Sequence, residues 1–338
     1  RIVAAPFAKP GHDSVVNTKY ATCVALPTNQ PVHPPRNEGE LMRVTNLEQP
    51  FHPIYNYAFT TDRVEGLIVT DVTTFSDGDL NNNRLRSSLR WNPDNVLAGA
   101  RHIVIGGHYA YIAAERGLVV VNLDDPLSPV LAAVVPLTDV RASALQFRYL
   151  FVTDSSGLRV VDITRPESPR LLPDALVPMR NAQRIYVALT YAYVAAGEQG
   201  LAIVDLWRAE QPRLLQFFDA GGTISDARDV VVATTNASLF AYVADGAAGL
   251  KVIQLTSPDL QPNFYGFSPV PKPELIASYR TTSPAMSLSK GLDRDRGVDE
   301  TGGQIAVFGR KGSRPLNLEE MQKLYLDDQG NPWYVDDE

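Results

Sequence analysis

Short alternating apolar runs, each closed by a turn residue, recur along most of this chain, and one unit repeats roughly every 40 to 50 residues. An aromatic pair around one small residue is followed by Gly-Leu and an alternating run, as in Tyr109-Ala110-Tyr111 leading to Gly117-Leu118-Val119-Val120-Val121-Asn122. The frame returns as Tyr149-Leu150-Phe151 to Gly157 through Asp162, as Tyr191-Ala192-Tyr193 to Gly200 through Asp205, and as Phe240-Ala241-Tyr242 to Gly249 through Ile253. Tyr57-Ala58-Phe59 leads in the same way to Gly66 through Asp71, and Gly303 through Phe308 keeps only the second half of the frame.

Each complete unit predicts four short strands. The first is an apolar stretch opened by Ala (Ala100 to Ile105, Ala182 to Val187), the second is the aromatic segment, the third follows the Gly, and the fourth follows a Pro, as in Pro129-Val130-Leu131 and Pro212-Arg213-Leu214. The Gly is expected to supply the positive φ of the turn between the second and third strands. Asp71, Asp162 and Asp205, which close third strands, are expected to accept turn amides and to have no part in catalysis. In the third strand Leu118 and Val120 point one way while Val119 and Val121 point the other, so both faces must be covered. Repeated sheets that are apolar on both faces are best satisfied by radial stacking, which predicts an all-β fold, a six-bladed β-propeller of four-stranded antiparallel blades, with seven blades as the alternative.

The G-L-x-V-V-D core preceded by Y-A-Y-V-A resembles the LVIVD repeat of bacterial, mostly extracytoplasmic, β-propeller proteins, over about residues 55 to 310. That resemblance implies a periplasmic or cell-surface location and a scaffold that hosts many roles. The flanks Gly11-His12-Asp13-Ser14 and Asp293-Arg294-Asp295-Arg296 through Phe308-Gly309-Arg310 resemble segments of large extracellular multihaem cytochrome polypeptides, which implies such a protein as partner or parent chain. With no C-x-x-C-H, this chain holds no covalently bound haem of its own.

Residues 1 to 40, rich in Pro and Asn, read as an extended arm that lies on a partner or adds a closing strand, Ala21 to Leu26, to the last blade. Leu41 to Leu47 is expected to open the first blade, the propeller to run from 41 to 310, and a tail with a short helix to fill 311 to 338. Asn317-Leu318-Glu319-Glu320 is a capping-box pattern for that helix, which is expected to dock on the outer rim. Phe75 to Trp91 and Pro258 to Pro273 read as long loops. The start at Arg1, without Met or leader, suggests a processed or excised piece of a longer precursor.

Composition narrows the functional classes. Of 338 residues 44% are hydrophobic and 20% charged, enough for a full core. The net charge of −7 argues against nucleic acid as a partner. No apolar stretch approaches the roughly 20 residues that span a bilayer. The single cysteine, Cys23, reads as a small packed residue, and no local signature of a catalytic or metal centre is found. His12, His33 and His52 fall in Pro-rich context, where a metal or a partner's haem iron is the alternative to a plain structural role. Asp77 and Asp79, and Asp293, Asp295 and Asp299, place oxygen ligands at a spacing that Ca²⁺ accepts, although Arg294 and Arg296 favour an ion-pair turn for the second group. Aligning the blades puts Arg101, Arg141, Arg180 and Arg228 at the start of first strands, at one mouth of the channel, where they could hold an anionic group. Pairing with Asp139, Asp226 or Asp229 is the plainer expectation for them. The reading is a non-catalytic interaction or structural module with a protein partner, and the competing reading is an enzyme or small-ligand binder whose site sits at the channel mouth.

Overall fold

A computed structural model of the chain describes residues 2–3, 15–27, 52–75, 79, 82–234, 238–258, 268–289, 310–311 and 314–331. Strands dominate the described residues, in five four-stranded antiparallel sheets whose strands pair in simple chain order and two two-stranded ones. The first sheet is Ala21–Ala25, Tyr57–Asp62, Gly66–Asp71 and Arg86–Trp91; the second is His102–Gly106, Tyr109–Ala114, Gly117–Asn122 and Val130–Val135. The third is Ala142–Gln146, Tyr149–Asp154, Gly157–Asp162 and Arg170–Pro178; the fourth is Ile185–Ala188, Tyr191–Ala195, Leu201–Asp205 and Arg213–Phe218. The fifth is Asp229–Thr234, Leu239–Ala244, Leu250–Thr256 and Glu274–Tyr279. Among the described residues the one α-helix, Leu318–Tyr325, carries the expected capping box between Asn317 and Glu320.

By compactness the chain divides into two units, Arg1–Leu137 with Asp162–Arg170 and Gly303–Glu338, and Thr138–Val161 with Leu171–Gly302. In the first unit, Phe59, Leu67 and Val69 of the first sheet interdigitate with Ile103, Ile105, Ala110 and Ile112 of the second, and Cys23 packs half-buried against this core. In the second unit the fourth sheet shows the period of two directly. Ala192, Val194, Ala202 and Val204 enter a core shared with the third sheet, and Tyr191, Tyr193, Leu201 and Ile203 enter one shared with the fifth. Both faces are therefore buried, as the third-strand pattern demands.

Polar bonds tie neighbouring sheets where the apolar contacts end. Thr22 Oγ1 donates to Ala100 O at 2.9 Å in the first unit, and Thr153 Oγ1 donates to Gln183 O at 2.6 Å in the second. A two-way backbone bridge joins Gly197 to Ala227, and the same bridge recurs between Gly246 and Ala285. Ala285 thus stands beyond the fifth sheet where Ala227 stands beyond the fourth. In the first, second, fourth and fifth sheets the pairing of third and fourth strands slips by one residue, a bulge that twists the fourth strand, an edge of its sheet.

The glycines at the second turn adopt the expected positive φ, and the structure adds a second cause at all five, where a Cβ would meet backbone at the end of the fourth strand. A Cβ on Gly117 would lie 2.2 Å from Val135 O, and one on Gly157 2.1 Å from Val177 O, because the end of the fourth strand crosses the turn.

Three expectations need correction. Ala21–Ala25 does not close the last sheet; it pairs with Tyr57–Asp62 as the first strand of the first sheet, because Cys23 and Ala25 supply the inward apolar face there. Leu41 to Leu47, expected in that role, lies outside the described residues. The helix, expected on the outer rim, lies at a sheet end: Met321, its buried residue, covers the Gly107 turn of the second sheet, with its Sδ 3.2 Å from where a Gly107 Cβ would be. Arg86–Trp91, read as the end of a long loop, is the fourth strand of the first sheet. Gly303 through Phe308 and residues 259–267 lie outside the described residues.

Tyr111 and Tyr193 bury hydroxyls that find no hydrogen-bond partner among the described residues, while Phe59 and Phe151 fill the equivalent place in sister sheets. Tyr193→Phe is therefore expected to leave stability unchanged or raise it by about 1 kcal/mol. Gly157→Ala is expected to lower it by about 2–3 kcal/mol, since both φ and space oppose a side chain. Urea unfolding of the two variants checks both.

Candidate functional site

The two ends of each sheet differ chemically. One end carries the start of the first strand and the glycine turn; the other carries the turn into the second strand, just before its leading Tyr, and the loop between the third and fourth strands.

At the glycine end, backbone register identifies equivalent residues. The N–H groups of Arg101, Arg141, Gln183 and Arg228 donate to Ala113 O, Thr153 O, Ala195 O and Ala244 O at 2.7–2.8 Å. Three of the expected arginines thus share one position, and Gln183 holds it in the fourth sheet. Arg180 does not belong to the set: it lies three residues earlier with its side chain exposed and its N–H on Gln199 Oε1 at 2.8 Å. The slip arises because Ala100, Ala182 and Ala227 precede the shared position, whereas Ala142 follows it and the buried Val140 takes the preceding place.

These arginines are held by neighbours. Arg141 chelates Asp139 through Nε at 3.0 Å and Nη2 at 2.8 Å, and Nη1 donates to Asn181 Oδ1 at 2.7 Å and Ala182 O at 2.9 Å, clasping the third sheet to the fourth. Arg228 pairs with Asp226 at 2.7 Å and stays half-exposed. Asp229 forms no ion pair with an arginine at bonding distance among the described residues. It accepts the N–H groups of Val230 and Leu288, and burial pushes its carboxyl up despite those bonds and the charge of Arg184.

A second set of carboxylates, at the ends of second strands, organises the glycine turns. Asp154 accepts Ser156 N at 2.6 Å and Gly157 N at 3.1 Å and pairs with Arg159 Nε at 2.5 Å. Asp245, fully buried, accepts Ser225 N and Asp226 N, with Lys251 Nζ at 3.9 Å from its other oxygen. Burial alone would raise the Asp62 carboxyl, but the N–H groups of Glu65, Val64 and Tyr20 and the charge of Arg90 outweigh it and hold the pKa below the usual carboxylate value. The signal is present in the sequence as an Asp three or four residues before Gly66, Gly157 and Gly249, while Gly117 and Gly200 lack it.

At the tyrosine end, the third-strand aspartates behave as expected. Asp71 accepts Thr73 N and Oγ1, Asp162 accepts Thr164 N and Oγ1, and Asp205 accepts Trp207 N, all at 2.6–2.9 Å. Beyond them a repeated latch joins a residue at the start of a second strand to a distant loop. Tyr109 donates to Glu167 Oε1 at 3.2 Å in the first unit. In the second unit Arg148 Nη2 reaches Glu210 Oε1 at 2.9 Å, the Tyr149 hydroxyl donates to the same oxygen, and Thr190 meets Ser268 Oγ at 2.6 Å. The latch carboxylates share the pattern Glu-x-Pro-Arg, Glu167 to Arg170 and Glu210 to Arg213, which makes them legible in retrospect. Burial, then the charge of Glu167, pushes the Tyr109 phenol well up, so it stays a donor.

Of the histidines, His52 accepts Ile54 N on Nδ1 at 3.2 Å and points Nε2 at Asp124 at 3.3 Å. His108 is buried, with its ring 4.5 Å from that of Tyr109. Burial lowers its pKa; the nearby Asp124, the Leu316 backbone and Glu167 oppose that shift and His52 adds to it. His12, His33, Asp77, Asp293, Asp295 and Asp299 lie outside the described residues. Asp79 is described, and among the described residues no three His, Cys, Asp or Glu side chains come together as metal ligands. No described helix is long and apolar enough to cross a membrane.

Two outcomes follow. Arg141→Ala should cost about 1–3 kcal/mol in urea unfolding, because it removes the bonds to Asp139, Asn181 and Ala182 O together, whereas Arg180→Ala should stay within about 0.5 kcal/mol of the parent. Because His108 is neutral in the fold and has an ordinary pKa of about 6.5 when unfolded, its contribution is complete above that value and is lost as the pH falls below it. The unfolding temperature should therefore drop as the pH falls below about 6.5, and His108→Gln should flatten that part of the profile.

Several solved structures are similar to part of this chain. The extracellular domain of BT4673 from B. thetaiotaomicron matches at 15% identity and a TM-score of 0.43, over 66% of this chain and 26% of that one. Apo AztD from Citrobacter koseri matches at 17% identity and 0.36, over 69% and 59%. The β-propeller domain of Myceliophteria thermophila Cps50 (Swd1) matches at 12% and 0.44, over 69% and 72%. This chain therefore spans less than two thirds of the first two. No curated protein matches the chain. The multihaem resemblance of the flanks finds no support among these comparisons. What the sequence does match is a repeat family: residues 99–135, 144–173, 179–206 and 225–260 are four LVIVD repeats.

Proposed function

We propose that this protein is a non-catalytic, extracytoplasmic β-propeller of six blades that serves as a protein-interaction module. Two-sided burial of the fourth sheet between its sisters supports the radial stacking, and the Gly246–Ala285 bridge, repeating Gly197–Ala227, supports a sixth unit that opens near Ala285. The extracytoplasmic location rests on the LVIVD resemblance.

The observation that carries the functional reading is how the polar groups at the sheet ends are used. Asp62, Asp154, Asp245, Arg141, Glu167 and Glu210 hold turns or join sheets, so the repeated chemistry goes into building a frame. Large side chains left exposed at the tyrosine end of the second unit, Phe147 and Trp207, are suited to contact with another protein. The competing reading, a small-ligand site at the glycine end, rests on the half-exposed Arg228.

Gentle purification of the native chain tests the proposal. It should elute well above the mass of one chain with a stoichiometric polypeptide partner, and haem absorbance in that peak would identify the partner as a multihaem cytochrome. Elution as a single chain with a retained small molecule would overturn the interaction role in favour of ligand binding.

A further inference from the structure

The turn from first to second strand contains two residues in the second, third and fourth sheets, and the first of them always has positive φ: Gly107 at +61°, Phe147 at +51° and Leu189 at +55°. Glycine suits this position, and a bulky side chain is strained there. Of the three positions only Gly107 lacks a side chain, and the tail of the chain uses the space it leaves. Met321 Sδ lies 3.2 Å from where a Gly107 Cβ would be, and Met321 is buried. The contact extends to either side. The His108 ring hydrogen-bonds to the backbone of the buried Leu316, just ahead of the helix, and the half-buried Tyr325 at its far end stands near Tyr111 of the second strand. Leu316, Met321 and Tyr325 thus seat the helix Leu318–Tyr325 on the second sheet, all within the first unit. An eight-residue helix is marginal in water by itself, so this seat, with the capping box, is what keeps it folded.

This seat contains an ionisable ring. His108 is only 7% exposed. The groups that face it are Asp124, whose carboxylate lies 3.3 Å from His52 Nε2, His52 itself, and Glu167, which accepts the Tyr109 hydroxyl. On the tail, Glu319 and Lys323 pair with each other at 2.8 Å and Glu320 closes the capping box, so the Leu316 backbone is what the tail offers to the ring. Burial opposes a charge on His108 more than Asp124, the Leu316 backbone and Glu167 favour one, and His52 adds to the opposition. Lifting the tail lets water reach the ring and removes that burial, so protonation and docking work against each other. We infer that the C-terminal helix is a strap released by acid: it sits on the Gly107–His108 turn while His108 is neutral and leaves when the imidazole is protonated, uncovering the turn while the sheets stay folded. The inference goes beyond the interaction-module reading and does not depend on it.

Amide hydrogen exchange of the full chain, read by mass spectrometry and corrected for the intrinsic rate, tests the strap. Met321 N and Leu326 N, bonded to Asn317 O at 2.9 Å and Gln322 O at 2.8 Å, report the helix. Their protection should fall about threefold to tenfold between about pH 7.5 and about pH 5.5, the latter about one unit below the ordinary histidine value. The strands Tyr109–Ala114 and Gly117–Asn122 should keep theirs. Met321→Ala should remove the helix protection already at the higher pH, which ties the readout to docking. His108→Gln, which can donate a hydrogen bond but takes no charge, should keep the helix protected at both. Where that variant docks poorly, the His108 ring of the parent chain decides by NMR titration: its midpoint should lie below about 6.5 and coincide with the loss of protection. Equal protection at both pH values, the same fall in a docked His108→Gln chain, simultaneous loss from the sheet strands, or a ring midpoint at or above the ordinary value would overturn the inference.

Discussion

Burial of both faces of a small sheet is the constraint from which the rest of this structure follows. A four-stranded sheet with Tyr193 and Ile203 on one face and Val194 and Val204 on the other cannot be stable in water alone; it needs a sister sheet on each side. Near-identical sheets made from one repeated pattern meet that need with one geometry used again and again. The same requirement pushes polarity to the ends of the strands, where the alternation stops and backbone groups must find partners.

Those ends are where the repeat is most regular in its chemistry. An aspartate after the second strand gathers turn amides, an aspartate or asparagine after the third strand does the same, and a hydroxyl or carboxylate reaches the neighbouring sheet. Each bond is modest, but each buried acceptor left without its donor would be costly, so the set acts as a check on register more than as a source of net stability. The repeated geometry comes with variable identity. His108, Arg148 and Thr190 occupy one turn position; Arg148 and Thr190 make the latch themselves, whereas beside His108 it is made by Tyr109.

Much of this was legible in the sequence. The apolar alternation, the Gly before Leu and the Pro before the fourth strand give the sheets, their turns and the closing Asx turns, because each of those signals is local. Errors came where a partner is distant in the chain. Ala21–Ala25 has a weak pattern of its own, and its place beside Tyr57–Asp62 is set by the empty edge it fills. Arg180 resembles Arg141 in the sequence because the flanking alanines are not in register from blade to blade: Ala142 follows the shared position and Ala182 precedes it, a two-residue offset that only backbone pairing reveals. The strain at Phe147 was invisible too, since nothing in the letters Gln146-Phe147-Arg148 announces a positive φ where a sister sheet has glycine.

The origin of the first strand also bears on how the molecule is assembled in time. In the second, third and fourth sheets the first hairpin closes across two residues, but Ala21–Ala25 must find Tyr57–Asp62 across the intervening residues 26–56. Each doubling of such a loop adds only about 0.6 kcal/mol of closure entropy, so the completed sheet suffers little at equilibrium, yet the search is slower than for a tight hairpin. The first sheet is thereby placed late in the order of folding, a three-stranded remnant until its N-terminal segment arrives.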